Sequence, residues 1–336
     1  MKSKISAISI YLPSTVLTND ELHRQFPDVR IQELTRLTGV SSRHVAGKDE
    51  TSVDMGQRAA EKLFKEHDIS PAGIDFILLC TTWSDYITPT SACILQDRLG
   101  IPHSSGALDI NQGCTGFIYG LAAAKGLIES GSAKNVLLVT SETITHSIHP
   151  RDVSNKSIFG DVAVATLVSG TEKGEGIGQF TFGTDGSGYG DIIIKYGGAR
   201  YPLTDHKAED YTDDRGAVRN DASFYMNGPA IFSFSTKVAP QIISDTLRKN
   251  GLSFGDIDFF AFHQANRIIL ETIIKKNKIP PEKTMIYLDD VGNTVSSTIP
   301  IVLRKALQEG NIKKGDKVLL AAFGVGLSWG GTVIQI

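Results

Sequence analysis

A cysteine, a histidine and an asparagine in this chain each stand where an apolar run turns toward a helix-like or glycine-marked segment. Cys114 lies in Asp109-Ile110-Asn111-Gln112-Gly113-Cys114-Thr115-Gly116-Phe117-Ile118-Tyr119-Gly120. Residues 107–110 read as the end of a buried strand, and 117–128 carry apolar side chains at helical spacing. The cysteine is thereby expected near a helix N-terminus, where unpaired N–H groups and the positive dipole end favour an anion. Thiols at such positions ionise below the free value of ~8.5, so a nucleophile with a lowered pKa is expected. The competing expectation is plain core, because cysteine is among the commonest buried residues. Gly113 and Gly116 read as a tight backbone that leaves room for a substrate.

His263 ends the apolar run 257–262 in Phe262-His263-Gln264-Ala265-Asn266, just before a helical pattern over Arg267–Lys276. A lone histidine in such a place usually serves structure, so its claim rests on its partners. With Asn293 they form a set suited to thioesters. Cys114 would attack an acyl thioester and hold the acyl group covalently. His263 and Asn293 would donate to a second thioester carbonyl and stabilise the enolate formed as a malonyl group loses CO2. Backbone N–H groups of Cys114, Val325 and Gly326 would complete an oxyanion hole.

The elements that must position these residues alternate between helices and buried strands. Residues 5–12 alternate like a strand, and Thr18-Asn19-Asp20-Glu21 is a helix-capping sequence. Helices are expected at 52–66 and 91–99, and strands at 74–80 and 135–140. The second half then repeats the first. Ile74-Asp75-Phe76 recurs as Ile257-Asp258-Phe259, Ile101-Pro102 as Ile279-Pro280, Gly113-Cys114 as Gly292-Asn293, and Val136-Leu137-Leu138 as Val318-Leu319-Leu320. The matches keep their order and an offset of about 180 residues, which indicates duplication of a whole half. The expected fold is α/β with mostly parallel pairing, in two pseudo-symmetric halves, 1–173 and 174–336. Cys114 and Asn293 then occupy equivalent turns on opposite sides of one site. Between the halves, residues 185–227 are rich in Gly, Asp and Tyr and read as a long loop, either functional or a linker.

Composition narrows the function classes. A hydrophobic content of 41% and a charged content of 21% describe an ordinary globular protein. A net charge of −3 offers no global attraction to nucleic acid or to a membrane surface. No apolar run is long enough to span a bilayer, and residues 1–12 lack the pattern of a signal peptide. Cys80, Cys93 and Cys114 lack zinc-ligand spacing and fit a reducing compartment, so a cytoplasmic location is expected. Cys80 and Cys93 are both expected in the core.

Five segments together carry a resemblance: Gly113-Cys114-Thr115-Gly116-Phe117, Phe159-Gly160-Asp161, His263-Gln264-Ala265-Asn266, Gly292-Asn293-Thr294 and 322–330, which reads Ala-Phe-Gly-Val-Gly-Leu-Ser-Trp-Gly. In their order and spacing the chain resembles β-ketoacyl-acyl-carrier-protein synthase III of the thiolase-fold condensing enzymes, over nearly its whole length. The resemblance implies a thiolase-like, five-layered αβαβα fold, a homodimer, and no metal or organic cofactor. It implies Cys114 as acyl-accepting nucleophile and His263 and Asn293 as the residues of decarboxylation and condensation. Acyl thioester and acyl carrier protein are the implied partners, with Arg267, Lys275 and Lys276 placed to dock the carrier. Thr88, in Tyr86-Ile87-Thr88-Pro89-Thr90, resembles the dimer loop that reaches the partner's acyl pocket, and Phe117 is assigned to that pocket.

One departure concerns nucleotide recognition. Relatives that use acyl-CoA often stack adenine between a Trp before the Thr-Gly turn and an Arg ahead of Phe-Gly-Asp. Here residues 30–39 contain no Trp, and Val153 stands at the expected Arg position. Loss of such a stacking platform removes about 0.5–1.5 kcal/mol. Arg36, Arg151 and Asn266 are the candidate substitutes for nucleotide and pantetheine contact. Altered CoA recognition follows, with a primer delivered on carrier protein as the expected consequence. An acyltransferase of the same family using a non-malonyl acceptor is the alternative. Hydroxymethylglutaryl-CoA synthase lacks support because Thr81-Thr82-Trp83-Ser84 has no glutamate. The repeat argues against a papain-like Cys-His-Asn hydrolase, and the presence of Cys114 argues against a non-catalytic subunit.

Overall fold

The computed structural model describes residues 2–172, 176–213 and 216–336. One sheet comprises β1 (Lys2–Tyr11), β2 (Phe76–Cys80), β3 (Gly106–Ile110), β4 (Asn135–Glu142) and β5 (Val162–Thr171), in the order β1-β5-β4-β2-β3. A second comprises β6 (Thr181–Thr184), β7 (Phe259–Phe262), β8 (Lys317–Gly324) and β9 (Ser328–Gln335), in the order β7-β8-β9-β6.

The repeat is visible in the pairing. β1-β5-β4-β2 and β6-β9-β8-β7 run through the same succession: antiparallel, antiparallel, parallel. Phe76 pairs with Val136 as Phe259 pairs with Val318, so the recurring tripeptides occupy matching places. Asp75 accepts from Asn135 N–H at 2.9 Å, and Asp258 accepts from Lys317 N–H at 2.9 Å. These carboxylates tie the start of one central strand to its neighbour in both sheets. Among the described residues the second sheet has no counterpart of edge strand β3, and an isolated bridge between Phe260 and Thr284 marks that side. The expected half boundary, 173/174, lies outside the described residues.

The pairing corrects one expectation. Three of the seven strand pairings in the two sheets are parallel, so both sheets are mixed rather than mostly parallel. β2, β3 and β4 succeed one another through helices and run parallel, whereas β8 and β9 are joined by a tight turn that requires antiparallel pairing.

Five layers follow from the side-chain pattern. Helices Ser52–His67 and Ser91–Arg98 cover the outer face of the first sheet with Met55, Ala59, Leu63 and Leu95. Helices Gly228–Lys249 and Arg267–Lys276 cover the outer face of the second with Ile242, Ile243, Ile269 and Ile273. Between the sheets lie Gly116–Glu129 and Thr298–Gln308, whose Phe117, Leu121, Ile299 and Val302 join one core with Leu78, Val164, Phe259 and Leu320. A helix packed by a sheet on either side buries apolar side chains around most of its circumference. Helix starts are locally encoded: Thr18 with Glu21 and Thr51 with Asp54 form capping boxes. Cys80 is buried as expected, but Cys93 is exposed. Ala92 and Leu95 turn their short helix toward the sheet and leave position 93 on the outer side. Among the described residues no helix is long and apolar enough to cross a membrane.

Gly116, the first residue of the central helix, bears directly on Cys80. A Cβ there would stand 2.2 Å from Cys80 Sγ, far inside contact distance. Gly116→Ala is expected to lower stability by about 1–3 kcal/mol, as overpacking does. The added Cys80→Ala should return most of that loss, measured as the urea midpoint of the double variant against each single one.

Candidate active site

The strand ends converge on one cavity of about 390 Å³. Its polar end holds Cys114, His263 and Asn293, with Asn266 and the 324–326 turn beside them. Its walls include Ile144, Phe159, Ile192, Phe224 and Ile231. Phe159 and Phe224 meet edge to face with centroids 5.1 Å apart. The segment 185–227 supplies Ile192, Ile193, Ile194, Phe224 and Met226 to this lining, and it is not a plain loop, since Ile192–Ile193 pair antiparallel with Tyr225–Met226.

Cys114 follows β3 and precedes the helix Gly116–Glu129, with Thr115 as N-cap residue. The turn between β8 and β9 faces it closely. A Cβ on Gly324 would lie 2.5 Å from Cys114 Cβ and 2.7 Å from Sγ, so this residue must lack a side chain. The Val325 N–H and the Cys114 N–H both bond toward the thiol and favour its ionised form. Burial outweighs them and pushes the thiol up to about 12, with the Glu142 charge adding to the rise. The expected lowered pKa is thus corrected: the helix end is present, but desolvation dominates for a partly exposed cysteine set among apolar cavity walls. Gly116 also differs from its expected role, since it makes room for Cys80 rather than for substrate.

His263 continues β7 through a bond from its N–H to Ala321 O at 2.9 Å. Its imidazole is buried, packs edge-on against Phe323, and is pushed down to about 3 by that burial. The ring is therefore neutral at physiological pH. Nδ1 lies 2.8 Å from Thr298 Oγ1, a hydroxyl that is also 3.2 Å from Val295 O. The hydroxyl has one hydrogen: given to Val295 O it leaves Nδ1–H to donate to Oγ1, and given to Nδ1 it puts the ring hydrogen on Nε2.

Asn293 is locked by its backbone and its amide together. Its N–H donates to Ile158 O at 2.8 Å, and its C=O accepts from Gly160 N–H at 3.1 Å. That bridge explains why Phe159-Gly160-Asp161 accompanies the asparagine. In the side chain, Oδ1 accepts from Val295 N–H at 2.9 Å and Nδ2 donates to Ala265 O at 3.2 Å. An amide nitrogen has two donors, so one remains for a ligand. Val295 holds φ +54°, uncommon for a β-branched residue, at a cost of about 1–3 kcal/mol. Strain of this size fits a turn whose geometry the site demands.

The other expected residues divide. Asn266 lines the cavity and caps Arg267–Lys276, accepting from Ile269 N–H. Phe117 does not line the cavity; it is fully buried between the sheets, a correction to its assignment as acyl-pocket residue. Thr88 is exposed beside Tyr86 and Ile87, away from this chain's cavity. Arg36 is exposed outside the cavity lining, and Arg151 pairs with Asp210 at 2.7 Å. Lys275 and Lys276 are exposed on the helix after His263, while Arg267 packs across Gly39. Among the described residues no group of three His, Cys, Asp or Glu side chains is arranged to hold a metal ion. Sequence reasoning missed Thr298, Phe224 and Glu142. Glu142 carried a signal: it is a carboxylate closing the strand-like run Val136-Leu137-Leu138-Val139-Thr140-Ser141.

A family model described as 3-oxoacyl-[acyl-carrier-protein] synthase III matches residues 108–186, and one described as its C-terminal part matches 247–336. The chain is 36% identical over 334 residues to a β-ketoacyl-[acyl-carrier-protein] synthase III of Clostridium perfringens, covering 99% of each chain. A crystal structure of a 3-oxoacyl-(acyl-carrier-protein) synthase III superposes with a TM-score of 0.98 at 42% identity, covering all of both chains. The Thermus thermophilus structure of that name gives 0.87 at 31% identity, over 99% of each.

The raised thiol generates a direct expectation. Iodoacetamide should label Cys114 at a rate that climbs about tenfold per pH unit from pH 7 to 10, because only the thiolate reacts. A plateau near pH 9, as an ordinary exposed thiol would show, would contradict the desolvated sulfur.

Proposed function

The chain belongs to the 3-oxoacyl-[acyl-carrier-protein] synthase III family, and we propose that Cys114, His263 and Asn293 carry its reaction. Membership makes it a condensing acyltransferase of fatty acid synthesis with a thiolase-like fold. The convergence of the three side chains on one apolar-walled cavity is the observation that carries the residue assignment.

In the first half-reaction an acyl thioester enters with its chain along the apolar wall. Cys114 Sγ bonds to the acyl carbon, the donor's C–S bond breaks, and the thiol proton leaves with the released thiol. The N–H groups of Cys114 and Val325 already face the sulfur and would receive the carbonyl oxygen as it becomes an oxyanion. Gly326 completes that turn. In the second half-reaction malonyl-carrier protein places its thioester carbonyl against His263 Nε2 and the free Asn293 N–H. Loss of CO2 leaves an enolate whose charge falls on that oxygen, and its carbon attacks the acyl-Cys114 carbonyl. The new C–C bond forms as the acyl–Sγ bond breaks, giving the β-ketoacyl product, and the departing Cys114 sulfur takes up a proton from solvent to return to the thiol. A neutral His263 takes this role in the tautomer in which Thr298 turns its hydrogen from Val295 O to Nδ1 and Nε2 carries the ring hydrogen.

The substrate carrier follows from Arg151. Its guanidinium is engaged by Asp210, residues 30–39 hold no Trp, and Val153 stands where the adenine-stacking Arg is expected. Delivery of the primer on acyl carrier protein fits that arrangement, with Lys275, Lys276 and Arg267 beside the mouth-lining Asn266 as the docking group. The exposed Tyr86-Ile87-Thr88 loop suits a homodimer in which Thr88 reaches a partner's pocket. Three free cysteines suit a reducing cytoplasm.

Intact-mass measurement after incubation with acyl-CoAs and the same acyl groups on carrier protein tests the assignment. An acyl adduct is expected from carrier protein in preference to CoA, and none in Cys114→Ala. Absence of an adduct from either donor would refute the nucleophile. Once acylated, His263→Ala and Asn293→Ala should each slow condensation with malonyl-carrier protein about 10²–10³-fold, the usual cost of one lost oxyanion donor. Condensation rates within a few-fold of the parent would remove them from that role.

A further inference from the structure

Beneath the cavity lies a carboxyl that the reaction above does not use. Glu142, the last residue of β4, has no solvent exposure. Its Oε2 accepts from Thr82 N–H at 3.0 Å and from Thr82 Oγ1 at 2.7 Å, and its Oε1 accepts from Ser296 Oγ at 2.8 Å. Both partners press on the turn that holds Cys114. A Cβ on Gly113 would meet Thr82 Cγ2 at 3.4 Å, and one on Gly116 would meet Ser296 Cβ at 3.1 Å. Ser296 also stands midway between Asn293 and Thr298, the residue bonded to His263.

We propose that Glu142 is a positioning residue for this reaction centre: one buried carboxyl, through Thr82 and Ser296, sets both the Cys114 turn and the 293–298 segment. The proposal rests on the assignment of Cys114, His263 and Asn293 made above. Its hydrogen-bond donors are all uncharged, so nothing among them neutralises the carboxylate. A buried charge is tolerated when its lone pairs are filled by fixed donors, and those donors are fixed in return. Removing the carboxyl would leave Thr82 and Ser296 free to rotate under the turn.

The charge has a second effect. Burial lifts Glu142 to about 7, and Asp161 pushes it in the same direction. Cys114 and Cys80 are the thiols that feel its charge, and Cys80 also feels Asp109. Above pH 7 the ionised Glu142 therefore opposes the Cys114 thiolate, and below pH 7 the protonated form does not.

Two variants of the full chain test this. Glu142→Gln keeps the shape and removes the charge. Its Cys114 should react with iodoacetamide about three- to tenfold faster than the parent at pH 8, the ratio falling toward one by pH 6. A merely structural role would not produce that pH-dependent ratio. Ser296→Ala should slow condensation of pre-acylated enzyme about tenfold while acylation of Cys114 stays within about twofold. Alkylation profiles that coincide for Glu142→Gln and parent, or equal slowing of both half-reactions in Ser296→Ala, would overturn the proposal. Should Glu142→Gln fail to fold, Glu142→Asp retains the charge. It should alkylate at the parental rate with condensation slowed, and unchanged condensation would equally overturn the proposal. The alkylation arm needs no acyl substrate, so a parent that takes no acyl group refutes the functional reading, whereas coincident alkylation profiles in an enzyme that does take one refute this proposal alone.

Discussion

The approach of the Cys114 turn to the β8–β9 turn leaves no room for a side chain at position 324. That contact joins the two sheets at the reacting sulfur, and the rest of the site is arranged around it. The central helices hold the sheets at a separation fixed by Phe117, Leu121, Ile299 and Val302. β3 then delivers Cys114, β7 delivers His263, and the bridge from Asn293 to Phe159 delivers the amide. Packing at native density transmits such spacing faithfully, because a core that lacks voids cannot shift one layer without moving the next.

Enclosure has an electrostatic consequence on both sides of the site. The same desolvation raises Cys114 and lowers His263, so at rest both are neutral. Charge develops only as a substrate carbonyl becomes an oxyanion or an enolate, and fixed N–H donors then meet it without reorganising. The Val295 backbone strain and the paired amide of Asn293 serve that fixed geometry. A helix N-terminus beside Cys114 contributes in the same sense, but its half-charge is smaller than the cost of removing a sulfur anion from water.

Much of this was legible in the chain. Helical periodicity, capping residues and apolar runs located the major elements to within a few residues, because each depends on local spacing and local hydrogen bonds. The internal repeat foretold two related sheets, and the equivalent turns at Cys114 and Asn293 foretold a shared site. Strand direction was not legible, since apolar runs look alike in parallel and antiparallel pairs. Phe117 was misassigned for a related reason: a phenylalanine next to a nucleophile suits a pocket or a core equally well. Glu142 announced itself as a carboxylate at the end of a buried strand, but its partners Thr82 and Ser296 are 60 and 154 residues away.

The sequence by itself determined the layered α/β class, the duplication and the family, and it singled out Cys114, His263 and Asn293 as the candidate chemical set. These reside in residue type, order and spacing, which the chain carries without folding. The tertiary structure alone decided the acidity of the cysteine, the neutrality of the histidine, the wall contributed by Ile192–Ile194 and Phe224, and the carboxyl that underpins the site. Each of these depends on which distant atoms exclude water from a group or donate to it. That is a property of packing, not of local sequence.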